Sequence, residues 1–260
     1  SDNLLAWRWQ PQLPERVPDL NNASDGDLFF AWALLRGADR FGFAPWRDRA
    51  AALAGDLART CVAPRPDRTE VPILLPAEFG FASDTGVVVN PSYMMPRALH
   101  EVAAATGQPA LAAAADAGLS LMREIAATRL VPDWLRITPA GVSPAPGFSA
   151  DAGYEAIRVP LFLAWSGAAD HPALRRAAAA MSMAPVGRAA IILDGETGAI
   201  LALSEDPGYR AIAALAACAA SGGRAAAIPS FAPMQAYYPA TLHLFTFLVQ
   251  SRHHPQCVPI

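Results

Sequence analysis

The sequence predicts an all-α fold, and three features carry that reading. Alanine, the strongest helix former, recurs along the whole chain. Twenty-four prolines are spread among the alanine-rich stretches, which suits many medium helices better than a few long ones. Runs such as Leu28 to Leu35 and Leu161 to Trp165 are apolar nearly all round, as in helices buried on more than one side.

In chain order, the apolar spacing predicts helices over 24–38, 47–62, 95–106, 108–129, 154–167, 171–183, 207–220 and 235–251. Ser24 or Asp25 is expected to cap the first, Pro45 precedes the second, and Pro207 opens another. Two short β-branched runs, Val71 to Pro76 and Val87 to Pro91, read as extended. Ala189 to Gly195 and Ala199 to Leu203 are expected to pair across Glu196-Thr197-Gly198 as a hairpin. No internal repeat or linker is visible, so residues 1–260 are read as one domain with short β-hairpin loops on a helical body.

Composition excludes several classes. Apolar residues make up 53% and charged residues 17%, so the chain folds. The formal net charge of -3 lacks the basic footprint of a nucleic-acid binder, and no Lys/Arg run suggests a membrane surface. No stretch reaches the roughly 18 uninterrupted apolar residues that a membrane helix needs. Ala211 to Ala220 comes nearest and reads as a buried helix. The polar Ser1-Asp2-Asn3 start is not a signal peptide, although a mature secreted protein would look the same. Cys61, Cys218 and Cys257 fit no zinc spacing; buried free thiols are expected, with one disulfide and one thiol as the alternative. His253-His254, beside Pro255, reads as a solvated end rather than a metal site. No metal and no cofactor is expected.

The chemistry starts at Asp25 and Asp27, two acids flanking Gly26 just before a strongly apolar helix. Taken alone, they read as a helix start with favourable charge at its positive end. Their neighbours favour a cleft carboxylate. The run Asp19-Leu20-Asn21-Asn22-Ala23-Ser24-Asp25-Gly26-Asp27-Leu28-Phe29-Phe30-Ala31-Trp32-Ala33-Leu34-Leu35 closely resembles the signature of glycoside hydrolase family 8. Phe30 departs from the usual Ile or Met, and Gly37 stands where Ala is common. Further segments resemble the family in the same order. They are Leu74-Leu75-Pro76 with Phe79-Gly80-Phe81, Asn90-Pro91-Ser92-Tyr93, and Val131-Pro132-Asp133-Trp134. Gly153-Tyr154-Glu155-Ala156-Ile157-Arg158-Val159-Pro160 and Tyr237-Tyr238-Pro239-Ala240-Thr241-Leu242 complete the set. The branch resembled most is the endoglucanases of bacterial cellulose synthesis.

The resemblance implies an (α/α)6 barrel and hydrolysis of β-1,4-linked glucan with inversion. An inverting site needs a carboxylic acid at the leaving oxygen and a carboxylate that activates water, roughly 6.5–9.5 Å apart. Asp25 and Glu155 are the catalytic residues it implies in this chain. Asp25 would grip and distort the sugar at the scissile position, and Glu155 stands where the family's base is Asp. Arg158, one turn on, would hold Glu155 ionised, as suits a base; an ordinary i,i+3 surface ion pair is the plain alternative. The family's general acid sits in a Ser-Glu-Gly-Gln-like run ahead of the Asp signature, and no such run occurs here. With fewer helices than the barrel's twelve, the barrel is therefore expected to lack its N-terminal helices.

Sugar rings stack on aromatic faces, so Tyr93, Trp134 and Tyr154 are expected to bind substrate together with Asp27 and Arg158. Trp32 and Trp165 are expected in the core, while Trp7 and Trp9 fit either role. The implied partners are a β-1,4-glucan and a cellulose synthase complex, in the periplasm or outside the cell. A non-hydrolytic glucan-binding protein is the second reading. Xylan, chitosan or mixed-linkage glucan are the other substrates open to an enzyme.

Overall fold

The structure, a computed structural model, describes residues 2–223 and 225–259. Two compact units divide the chain, one formed by Ser1–Leu119 with Trp134–Pro146, the other by Ser120–Asp133 with Gly147–Ile260.

The first unit opens with an extended N-terminal segment. Helices α1 (Ser24–Phe41) and α2 (Pro45–Thr60) follow, then a hairpin of β1 (Val62–Arg65) and β2 (Arg68–Leu74). After these come β3 (Ala82–Ser83), β4 (Gly86–Val89), a 3-10 turn (Pro91–Tyr93) and α3 (Pro96–Thr106). Helix α4 (Pro109–Ala126) passes into the second unit, and β5 (Leu135–Thr138) and β6 (Gly141–Pro144) return. Strands β3, β4, β5 and β6 form one antiparallel sheet in that order. Helix α1 packs on α2 and α3, placing Leu28, Leu35, Leu53, Leu57, Leu99 and Val102 in one core. Gly37 has a packing reason for departing from alanine: a Cβ there would lie 2.9 Å from the Trp46 ring. Phe30 is 38% exposed, on a face where core shape imposes nothing.

The second unit holds α5 (Arg158–Trp165), α6 (Pro172–Met181), the hairpin β7 (Ala189–Leu193) and β8 (Ile200–Ser204), and α7 (Pro207–Ser221). Strand β9 (Ala225–Ala226), α8 (Tyr237–His253) and β10 (Val258–Pro259) complete it. Every residue from Val159 to Trp165 is buried, as its apolar run predicts. Helix α7 packs on α6 and α8, with Ile212 and Leu215 fully buried.

The predicted helices all form, and α2, α3, α4, α6 and α7 begin on a proline, where the missing N–H costs nothing. Trp32 and Trp165 are buried as expected. Four corrections stand beside this. Helix α1 is one-sided rather than buried all round. Helix α2 stops at Thr60, because Cys61 accepts the Leu75 N–H and Val62 enters β1. Strands β1, β5 and β6 lack the alternation or length that would reveal them. Finally, α5 starts at Arg158, since residues 154–157 form a turn.

The expectation of free thiols is also corrected. Cys218 and Cys257 are joined by a disulfide across a separation of 39 residues, and Cys61 alone is free and buried. Helix α7 ends at Gly222, whose left-handed backbone turns the chain, and β9 pairs in parallel with β10. His254 is buried rather than solvated, with its Nε2 at 3.0 Å from the Ala164 carbonyl. Replacing both Cys218 and Cys257 by Ser is expected to lower the unfolding free energy by about 4 kcal/mol through loop entropy. Urea denaturation checks this, and a loss under about 1 kcal/mol would contradict it.

Candidate active site

In the first unit, the segment from Asn21 to Asp27 works as a clamp. Asn21 donates to the Phe79 carbonyl at 3.0 Å and accepts from the Phe79 N–H at 3.2 Å. Asn22 accepts from the Glu78 N–H at 2.8 Å and donates to Asp27 Oδ2 at 2.8 Å. Contrary to the sequence expectation, neither Ser24 nor Asp25 caps α1. The Ser24 hydroxyl donates to the Leu75 carbonyl at 2.7 Å and the Ser24 N–H to the Pro76 carbonyl at 2.8 Å. The residue before α1 is Ala23, which has no side chain to offer. This end of α1 is therefore fixed by tertiary bonds, and it presents Asp25 half-buried in the first turn, where the helix dipole favours its charge.

Asp27 faces inward. It is 1% exposed, its Oδ1 accepts the Leu5 N–H at 2.8 Å, and its Oδ2 is taken by Asn22. Burial raises its carboxyl above the usual aspartate value, against the pull of those two donors. Asp27→Ala would take the acceptor from the buried Asn22 amide and from the part-buried Leu5 N–H, at about 1–3 kcal/mol for a buried donor. Thermal denaturation is expected to show a loss of about 3 kcal/mol; a loss below about 0.5 kcal/mol would refute this role.

The aromatic residues of this unit gather on one side chain. The Trp134 ring stacks on Phe81, with centroids 5.8 Å apart and 9° between planes. Tyr93 meets the same indole at 6.1 Å, tilted by 58°. Tyr93 ends the 3-10 turn that Asn90 caps by accepting the Ser92 N–H at 3.0 Å. All three rings are half-buried. Phe81, in the Phe79-Gly80-Phe81 run, joins the expected pair Tyr93 and Trp134, and its partner Trp134 lies more than 50 positions on in sequence. Trp7 and Trp9 are exposed, and Trp7 donates its indole N–H to Asp19 at 2.7 Å.

In the second unit, Tyr154 and Glu155 lie in the turn before α5, and Arg158 is the first residue of that helix. Glu155 forms an ion pair with Arg158, the two side chains being 32% and 13% exposed. Tyr154 is exposed, and its carbonyl accepts the Tyr238 hydroxyl at 2.6 Å. Tyr238 meets Tyr209 edge-on at 6.3 Å. Burial lifts both phenols above the ordinary tyrosine range, Tyr209 to about 12 and Tyr238 further. Both therefore stay protonated at neutral pH, able to donate.

Beneath this turn lies Asp133, 8% exposed. Its Oδ1 accepts the N–H groups of Gly153 at 2.9 Å, Glu155 at 3.2 Å and Ala156 at 2.7 Å. Burial raises its carboxyl above the usual value, while the three backbone donors act in the opposite sense. The Pro-Asp-Trp and Tyr-Tyr-Pro motifs contain Asp133 and Tyr238, but their roles rest on partners at least twenty positions away in sequence. Among the described residues, no group of three or more His, Cys, Asp or Glu side chains is disposed to hold a metal ion. No described helix is long and apolar enough to cross a membrane.

Comparison with known proteins finds the profile of glycosyl hydrolases family 8 matching residues 1–252. A probable endoglucanase of Novacetimonas hansenii is 28% identical over 255 residues, covering 96% of this chain and 72% of that protein. An endoglucanase of Cellulomonas uda is 31% identical over 173 residues, covering 64% of this chain and 46% of that protein. The solved structure of an endo-β-1,4-glucanase from Acetobacter xylinum superposes with a TM-score of 0.83 at 27% identity. That superposition covers 97% of this chain and 78% of the other.

Proposed function

Because the chain belongs to glycosyl hydrolases family 8, we propose that it is an endo-β-1,4-glucanase that cleaves cellulose-type glucan with inversion. The observation that carries this reading is the half-buried Glu155 carboxylate, paired with Arg158 on a turn anchored by Asp133. In the reaction, Glu155 takes a proton from water. The water oxygen bonds to the anomeric carbon from the face opposite the leaving group, and the bond to the leaving oxygen breaks. That oxygen takes its proton from a carboxylic acid, for which the family's Ser-Glu-Gly-Gln-like run has no counterpart among these 260 residues. Asp25 grips the sugar at the scissile position, and Tyr93, Trp134 and Tyr154 supply stacking faces. Arg158 holds the Glu155 carboxylate in place through their ion pair. Asp27, with both oxygens engaged inside the protein, acts on substrate only through the placement of Asp25.

The fold we infer is the family's (α/α)6 ring. The eight helices among the described residues support it, as do the endoglucanases that match the chain. Residues 1–260 would then belong to one catalytic domain. The Cys218–Cys257 bridge supports a periplasmic or secreted location, since disulfides persist in oxidising compartments. Action beside a cellulose synthase complex follows from the branch of the family that the motifs resemble most.

The test is release of reducing ends from carboxymethyl cellulose, measured against xylan, chitosan and mixed-linkage glucan. Turnover of the cellulose derivative above the other three supports the reading. Higher turnover of another polysaccharide would reassign the substrate. A second reading, a non-hydrolytic glucan binder, is motivated by Glu155 in place of Asp and by the unplaced acid. Calorimetric binding of cello-oligosaccharide with no product after long incubation would favour it.

A further inference from the structure

We propose that Asp133 is a positioning residue for the reaction: it sets the backbone of Glu155, and so the point from which the base carboxylate reaches water. The inference rests on the reading of Glu155 as the base and adds to it a residue that touches no substrate.

Four observations carry it. First, one oxygen of Asp133 collects three backbone N–H groups, and one of them is the amide of Glu155 itself. Second, these amides precede α5, so they lack helical acceptors; in a partly buried turn, with Gly153 and Ala156 inside, they need another. An ionised carboxylate gives shorter and stronger bonds than a neutral acceptor. Third, the fit is close. A Cβ on Gly153 would lie 2.8 Å from Asp133 Oδ2, so the turn has been shaped around this carboxylate. Fourth, Asp133 is itself held, its own N–H donating to the Asp151 carbonyl at 2.8 Å.

Glu155 makes this anchoring matter more than an aspartate would. Its side chain has one more rotatable bond, so its carboxylate reaches a defined place only if both ends are fixed. Arg158 fixes the carboxylate end and Asp133 fixes the backbone end. At 8% exposure and with three donors on one oxygen, Asp133 is no candidate for direct contact with sugar.

The test uses β-cellobiosyl fluoride. Attack of water at its anomeric carbon expels fluoride, which needs no proton, so the rate reports the base without a general acid. Fluoride release is measured per folded molecule, well below the melting temperature, for Asp133→Asn, Asp133→Ala, Gly153→Ala and Glu155→Gln. Displacing a catalytic group by about 1 Å costs on the order of a hundredfold. Asp133→Ala is therefore expected to lower kcat about a hundredfold. Asp133→Asn keeps an acceptor oxygen and is expected to recover about tenfold of that loss. KM should stay within about twofold, because the lost function is placement of the base. Gly153→Ala keeps the charge but displaces the turn, so kcat should fall in the same sense; with Asp133→Asn it decides the matter if the alanine variant does not fold.

A merely structural Asp133 would change the melting temperature and leave kcat per folded molecule unaltered; that outcome overturns the proposal. If Glu155→Gln is inactive while the Asp133 variants turn over normally, this inference alone fails. If Glu155→Gln is fully active, the reading of Glu155 fails and takes the inference with it.

Discussion

Glu155→Gln is expected to lower turnover of β-cellobiosyl fluoride and of carboxymethyl cellulose by at least about a hundredfold, the usual scale for a lost general base. Glutamine has nearly the same shape, so the turn before α5 should persist. The stability change should be small, because the ion pair with Arg158 lies partly in solvent. Exposed pairs contribute about 0–1 kcal/mol. Activity measured alongside a melting curve separates the two effects. A variant with native melting and native turnover would remove Glu155 from the mechanism.

The second large effect is at Asp25. Asp25→Asn is expected to cost at least about a hundredfold in kcat, since hydrogen bonds to the sugar that strengthen in the transition state are worth several kcal/mol. Other side chains also hold the start of α1. Ser24 and Asn22 hold the start of α1 through Leu75, Pro76 and Glu78, and Asp27 ties it to Leu5. Losing one first-turn charge should cost about 0.3–1 kcal/mol in helix stability. The contrast with Asp27 is diagnostic. Loss of Asp25 should remove activity and spare stability, whereas loss of Asp27 should chiefly remove stability. The reverse pattern would exchange the two assignments.

Much of this fold is legible in the sequence, for a physical reason. Proline fixes a helix start by itself, so Pro45, Pro96, Pro109, Pro172 and Pro207 mark boundaries without help from tertiary structure. The β7–β8 hairpin is equally local, two apolar runs across a turn. What the sequence hides depends on partners far along the chain. Strand β5 is only four residues long, and besides its local hairpin with β6 it pairs with β4, more than 40 residues earlier. Ser24 reads as a cap until Leu75 takes its hydroxyl. The disulfide needs the turn after α7 and the β9–β10 pairing, neither of which cysteine spacing reveals.

The site divides along the same line. Asp25, Tyr93, Trp134, Tyr154, Glu155 and Arg158 come forward through local motifs, and the structure places Tyr154 and Glu155 on one turn, Glu155 in an ion pair with Arg158 at the start of α5, and Tyr93 against Trp134. Asp27 carries the same motif as Asp25, yet its inward orientation follows from Leu5 and Asn22. Asp133 looks like one letter of Pro-Asp-Trp; only its bonds to residues twenty positions away give it a role.

The most direct test of the central claim is the anomeric configuration of the first product. Proton NMR during turnover of β-cellobiosyl fluoride should show α-cellobiose appearing first, at a rate abolished by Glu155→Gln. β-Cellobiose appearing first, or no turnover above the spontaneous rate, would contradict inverting hydrolysis by this chain.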